Sequence, residues 1–231
     1  MKNILILGGS SGIGKKLLSL YAKRNRVFTT YNKNRIPKKD NIKLVFKFNF
    51  FSKLNNLAFF KKISDIKFDI VIFIGAMTPN KKNKSGFFKN FDYEYFSKML
   101  YINCYFPIKL FQELFLSKKI KSNSKIIFFS SLAGSISNRG KLKHNKPGGD
   151  LIYRMSKSSL NSAIKNIAYD LKNTKIKLIA LHPGYVRTKS GGKNANLSVA
   201  YSASQIYNLI NKLNQKKSGK FLNYNSKEIK W

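Results

Sequence analysis

The stretch from Asn3 to Lys16 constrains the chain most. An apolar run, Ile4-Leu5-Ile6-Leu7, enters Gly8-Gly9-Ser10-Ser11-Gly12-Ile13-Gly14 and then a basic-apolar helix start at Lys15-Lys16-Leu17-Leu18. Strand, glycine turn and helix N-terminus in that order form a phosphate cradle. Glycine tolerates positive φ and lets backbone approach a pyrophosphate without a side chain in the way. The helix aims its unpaired N–H groups and its dipole at the anion. The spacing Gly8, Gly12, Gly14 differs from the commonest G-x-G-x-x-G fingerprint.

Downstream, apolar strands alternate with amphipathic helices. Expected strands are Val27–Thr30, Lys43–Phe48, Asp69–Ile74, Lys125–Phe129, Lys177–Leu181 and a short Lys220–Leu222. Expected helices run over Ile13–Arg24, Leu54–Ile63, Asp92–Ser117, Leu151–Leu171 and Val199–Leu213. Nearly continuous apolar strands of this kind are buried on both faces, which predicts a doubly wound parallel α/β sheet with helices on both sides. At 231 residues, without a low-complexity linker or repeat, residues 1–231 are read as one domain.

The strand ending at Tyr31-Asn32 carries no Asp or Glu of the kind that holds a free ribose 2′-hydroxyl. Lys33 and Arg35 lie there instead and suit a 2′-phosphate, so NADP (NADPH) is expected over NAD. Ligands of open α/β sheets sit at the carboxyl edge, which marks Gly75 after the fourth strand. In the long fourth-strand-to-fifth-strand helix, Phe96, Met99, Leu100, Asn103, Phe106 and Leu110 share a stripe. Pro107 has no N–H for the Asn103 carbonyl, which is then available to hold a water. In the next long helix, Ile152, Met155, Leu160, Ala163, Ile167 and Leu171 are expected to face the core. Tyr153 and Lys157, one turn apart, point together. A phenol with a pKa of ~10 becomes a better acid–base group beside an ammonium.

Coupled to the glycine turn, the strand end at Ser131 and the Pro183-Gly184 turn, this pattern resembles the short-chain dehydrogenase/reductase family over essentially the whole chain. The matching residues are Gly8-x-x-x-Gly12-Ile13-Gly14, Asn103, Ser131, Tyr153-x-x-x-Lys157 and Pro183-Gly184-x-Val186-x-Thr188. Gly134-Ser135-Ile136-Ser137, Tyr153-Arg154-Met155-Ser156-Lys157 and the tail from Ser218 to Trp231 look like its C-factor-like carbonyl reductase subgroup. The resemblance implies a Rossmann-type fold and an NAD(P)-dependent oxidoreductase that reduces an aldehyde or ketone. In that reading Tyr153 is the general acid, Ser131 hydrogen-bonds the substrate oxygen, and Lys157 holds the nicotinamide ribose and lowers the tyrosine pKa. Asn103 anchors a relay water, and Ile13 and Thr188 line the pyrophosphate and nicotinamide region. Two departures stand out. Phe73-Ile74-Gly75-Ala76 replaces the usual Asn-Asn-Ala-Gly, and Asn49 stands where the family often has an adenine-contacting Asp. The alternative reading is a non-catalytic dinucleotide-binding regulatory protein of the same fold.

The net charge of +36 is distributed along the chain, with lysine-rich pieces at Asn80–Lys84 and Arg139–Lys146 in expected loops and no repeat of stacking aromatics. It reads as a bias of composition, with no nucleic acid as primary partner. No transmembrane or export segment is apparent, and the single Cys104 excludes an internal disulfide, so a cytoplasmic setting without membrane contact is expected. Cys104 reads as a small buried hydrophobe, and Trp231 as a packing tail. His144 and His182 lack metal-ligand spacing, so no metal is expected. Surplus apolar surface on the long helices, including Tyr101, Tyr105 and Phe115, predicts a homodimer.

Overall fold

The computed structural model describes the chain apart from residues 33, 37–40, 50, 52, 80–86, 88–90 and 142–148, and apart from the side chains of 53–55. Seven strands, β1 (Asn3–Leu7), β2 (Arg26–Tyr31), β3 (Ile42–Lys47), β4 (Phe68–Phe73), β5 (Ile120–Phe129), β6 (Lys177–His182) and β7 (Phe221–Asn223), form one sheet. Its order is β3-β2-β1-β4-β5-β6-β7, and every pairing is parallel. The helices are α1 (Gly12–Ala22), α2 (Lys53–Lys62), α3 (Tyr93–Leu100), α4 (Phe106–Leu116), α5 (Leu151–Asp170) and α6 (Val199–Lys212). This is the doubly wound Rossmann-type architecture expected above.

The period of two along each strand explains why both faces need helices. Ile4, Ile6, Ile70, Ile72, Ile127 and Ile179 face one core, which Leu17, Leu18 and Tyr21 of α1 and Ile206 and Ile210 of α6 complete. Leu5, Leu7, Val71, Phe73, Ile126 and Phe128 face the other, filled by Phe106, Leu110 and Leu114 of α4 and Leu160 and Ile164 of α5. Each such side chain, fully buried, contributes about 1.5–3 kcal/mol.

Two details differ from expectation. The segment Asp92–Ser117 is not one α-helix: α3 and α4 are joined by a π turn over Tyr101–Tyr105, in which the Phe106 N–H reaches back to the Tyr101 carbonyl. On α5, Met155 is exposed at 37 % and Ile164, not Ala163, is the buried core residue. The inward face of α5 is polar there instead, with Ser156, Lys157 and Asn161 all buried.

Strand order reverses direction between β1 and β4, and the chain exits of these two strands meet at the carboxyl edge. A Cβ on Gly8, which sits at φ +102°, would lie 2.9 Å from the Gly75 amide nitrogen. Only glycine permits that approach. The topological switch point, where open α/β sheets bind ligands, is therefore built around the glycine turn.

Candidate active site at the carboxyl edge

The glycine turn is tied down from below. The Gly8 N–H donates to Thr30 Oγ1 at 3.1 Å, and the Gly9 N–H to the Thr30 carbonyl at 3.1 Å. A Cβ at Gly14 would strike the Gly8 carbonyl, so α1 can start only if that position is bare. Asp92, Asp150 and Ser198 cap α3, α5 and α6 through their side chains, whereas Ser11 gives α1 no side-chain cap and no acid lies in its first turn. Its leading N–H groups and dipole are thus left for an external anion. Ser10 is half-buried and Ser11 exposed beside them.

The turn after β6 closes the same site from the other side. Gly184 has φ +84°, and a Cβ there would run into Leu197 and Tyr224. Beyond the half-buried Pro183, Val186 is buried and bridges to Leu197. The Thr188 methyl lies against Gly12, within 3.3 Å of where a Cβ would be, and its hydroxyl accepts the Gly191 N–H at 3.1 Å. Ile13, buried at the start of α1, completes the wall. Asn49 is exposed and its Oδ1 accepts the Phe51 N–H at 3.1 Å, an Asx-type turn within its own loop. Lys33 lies outside the described residues, as does His144.

Asn103, Ser131, Tyr153 and Lys157 are brought together by the π turn, the end of β5 and the first turns of α5. Ser131 starts a short 3₁₀ turn (Leu132–Gly134), and its Oγ accepts the Ala133 N–H at 3.2 Å. Its hydroxyl is also hydrogen-bonded to the Tyr153 phenol. Lys157 is 2 % exposed; its Nζ donates to the Phe129 carbonyl at 2.9 Å and lies 6.0 Å from the centre of the Tyr153 ring. Burial pushes the Lys157 ammonium down to about 8, while Cys104 acts slightly in the opposite sense.

Tyr153 departs from the expectation of a lowered pKa. Desolvation pushes it up, the Ser131 hydrogen bond pulls it down, and the Asp150 carboxylate pushes it further up. The sequence displays the neighbouring ammonium but not the low-dielectric surroundings that outweigh it. At neutral pH the pair is therefore a protonated phenol beside an ammonium.

Asn103 is held through its side chain. Oδ1 accepts the Met77 N–H at 2.8 Å and Nδ2 donates to the Met77 carbonyl at 2.9 Å, in the manner of a strand partner. Nδ2 also reaches Ser156 Oγ at 3.1 Å, and Ser156 donates to the Tyr153 carbonyl at 2.8 Å. One amide thus joins the exit of β4 to α5.

Several supporting residues were missed by sequence reasoning. Asp150 caps α5, accepting the Tyr153 N–H at 2.7 Å and the Tyr95 hydroxyl at 2.9 Å. An acid three residues before Tyr153 and next to a helix start was a usable signal. Ser130 Oγ donates to Asn161 Oδ1 at 2.6 Å, and Asn161 Nδ2 to the Gly134 carbonyl at 3.1 Å, which fixes the backbone on either side of Ser131. His182 Nδ1 accepts the Leu132 N–H at 3.3 Å. These contacts carry no local sequence signal. Among the described residues no group of three or more potential metal ligands occurs, and no helix is long and apolar enough to cross a membrane.

Comparison with known proteins agrees with this fold. A model of the short chain dehydrogenase family matches residues 2–199. C-signal of Myxococcus xanthus is 38% identical over 95 residues, covering 41% of this chain and 57% of that protein. An uncharacterized oxidoreductase of Saccharomyces cerevisiae is 31% identical over 136 residues, covering 53% of this chain and 51% of the other. The chain spans only part of the length of these relatives. Among solved structures, the carbonyl reductase Sniffer of D. melanogaster superposes with a TM-score of 0.79 at 25% identity, covering 100% of both chains. The NADPH-bound carbonyl reductase from chicken fatty liver gives 0.80 at 22% identity, covering 100% of this chain and 94% of the other, a likeness of fold. The chain belongs to the short-chain dehydrogenase/reductase family, and its likeness to C-signal and Sniffer supports the C-factor-like carbonyl reductase subgroup.

Proposed function

We propose that the protein is an NADPH-dependent reductase of a small aldehyde or ketone. The observation that carries this reading is the convergence of a protonated Tyr153, a buried Lys157 and the Ser131 hydroxyl on the edge that also holds the uncapped start of α1. The bare glycine turn and the free N–H groups of α1 suit a pyrophosphate, and Gly75, Thr188 and the Pro183-Gly184 turn suit the rest of a dinucleotide. Asn49, engaged in its own turn, is the weakest match to an adenine contact. Arg35, exposed after β2, and Lys33 would meet a 2′-phosphate.

A bound NADPH supplies the hydride that adds to the carbonyl carbon. Tyr153 gives its proton to the carbonyl oxygen as negative charge develops there, and Ser131 holds that oxygen by a hydrogen bond. The raised pKa of Tyr153 keeps the proton in place until the reaction asks for it. Lys157, cationic below about pH 8, then stabilises the phenolate and offers donors to the nicotinamide ribose. Asn103 holds the β4 exit against α5, and its carbonyl, which Pro107 cannot serve, would hold a relay water.

Replacement of Tyr153 by Phe tests the reading. NADPH affinity, measured by nicotinamide fluorescence, should stay within about twofold, while turnover of the best carbonyl substrate in an aldehyde and ketone panel should fall about 10²-fold or more. NADH should bind more weakly than NADPH. Wild-type turnover in the variant would refute the role of Tyr153. NADPH binding without turnover of any carbonyl would favour the regulatory alternative.

A further inference from the structure

The cations that look scattered along the sequence are sorted by the fold. In an all-parallel sheet every strand starts at the same edge, and each crossover helix delivers the chain back to it. Six neighbouring strands, in the order β3-β2-β1-β4-β5-β6, begin within about two residues of Lys43, Arg26, Lys2, Lys67, Lys121 and Lys177 respectively. The register confirms the alignment: Asn3 lies beside Arg26, and Lys125 beside Lys177. At about 4.8 Å per strand the row is about 24 Å long. The chain leaving α1, at Lys23-Arg24, and that leaving α4, at Lys118-Lys119, add charge to the same edge.

Little opposes this charge. Asp69 pairs with Lys121 at 2.9 Å and also accepts the Asn3 N–H, and Asp65 stands exposed close by. Like charges crowd one another: the Lys125 ammonium is pushed down to about 8 by burial first and then by Lys2 and Lys177. Lys125 resolves part of this by donating to the Ile210 and Asn211 carbonyls at the end of α6, both at 2.7 Å. The rest of the row, apart from Lys121, is a line of like charges without an acidic partner among the ion pairs of the described residues, which a polyanion would complement.

We propose that this amino edge, on the opposite side of the sheet from the glycine turn, is a sequence-nonspecific binding surface for the phosphate backbone of nucleic acid. A narrow row one strand apart matches a linear polyanion better than the plane of a bilayer. Lysines acting as point charges position phosphates without reading bases. Binding here leaves the carboxyl edge open, so it is independent of the redox reading.

The test uses fluorescence anisotropy with short mixed-sequence DNA and RNA oligonucleotides across a salt series. One variant carries Lys2→Gln, Lys43→Gln, Lys67→Gln and Lys121→Gln; a second carries the same number of changes away from the edge, at Lys98, Lys165, Lys189 and Lys193. All eight side chains are exposed, and unchanged thermal midpoints check folding. Wild type should bind DNA and RNA alike, with a log–log salt slope of about −4 for six phosphates on a single strand. The edge variant should lose at least tenfold in affinity and about 3 in slope, and the second variant should stay close to wild type. Equal losses in both variants would show diffuse charge and overturn the proposal, as would no binding at low salt. So would an edge variant that loses affinity for phosphatidylserine vesicles while keeping its affinity for oligonucleotides.

Discussion

Lys157 offers a thermodynamic signature that needs no substrate. Its side chain is 2 % exposed and its ammonium falls from an ordinary 10.5 to about 8. At about 1.36 kcal/mol per pKa unit, that fall means the fold carries a charged amine at neutral pH at a cost of about 3 kcal/mol. Between the folded value and the unfolded one, the unfolded chain binds more protons at this site than the folded chain. Stability from Lys157 therefore rises with pH through that window and is flat below it. Lys157→Met keeps most of the volume and removes the titration. Urea unfolding from about pH 7 to about pH 11 should show the wild type gaining about 3 kcal/mol on the variant, nearly all of it above about pH 8. Lys125, which titrates in the same range, and the buried Tyr21, whose pKa is raised, are present in both proteins and cancel in the difference. A difference that stays constant across the range would refute the buried, charge-penalised lysine.

Two further outcomes are expected. His182→Leu removes the acceptor for the Leu132 N–H next to Ser131, so kcat should drop about tenfold while NADPH affinity holds, and His182→Asn, which keeps an oxygen near the Nδ1 position, should recover most of it. Tyr105 and Leu116, 54 % and 68 % exposed on the α3–α4 limb, make a homodimer through α4 and α5 the expected state; light scattering should show it, more completely as salt screens the positive charge, and a monomer at physiological salt would count against it.

The sheet was legible in the sequence because parallel strands buried on both faces are written as unbroken apolar runs: Ile4–Leu7 and Ile70–Phe73 can be little else. The glycine turn and the Tyr153–Lys157 pair could be read because each spacing is local to a single element. What escaped depends on contacts distant in sequence. The π turn carries the same stripe of Met99, Asn103 and Phe106 that an α-helix would, so periodicity could not separate the two. The direction of the Tyr153 shift depends on desolvation by surrounding segments, which spacing does not report. The row of cations at the amino edge exists only once strand order is known; along the chain, Lys43 and Lys177 have nothing in common.

The π turn also has a bearing on how this chain can change its length. A deletion within Tyr101–Tyr105 would restore ordinary α-helical winding, and as a matter of helix stability it should be welcome, since π winding is rare. Because the wider winding absorbs one residue, losing it would leave α3 and α4 nearly in place and shift the residues of Tyr101–Tyr105 themselves. Asn103 would swing away from Met77 or from Ser156, and the two could no longer share one amide. The surplus residue thus works against the preference of the helix itself and sets Asn103 between its two partners. A chain of this fold with no need of one amide between Met77 and Ser156 would lose nothing by dropping the residue, so the length of this limb reports whether that bridge is required.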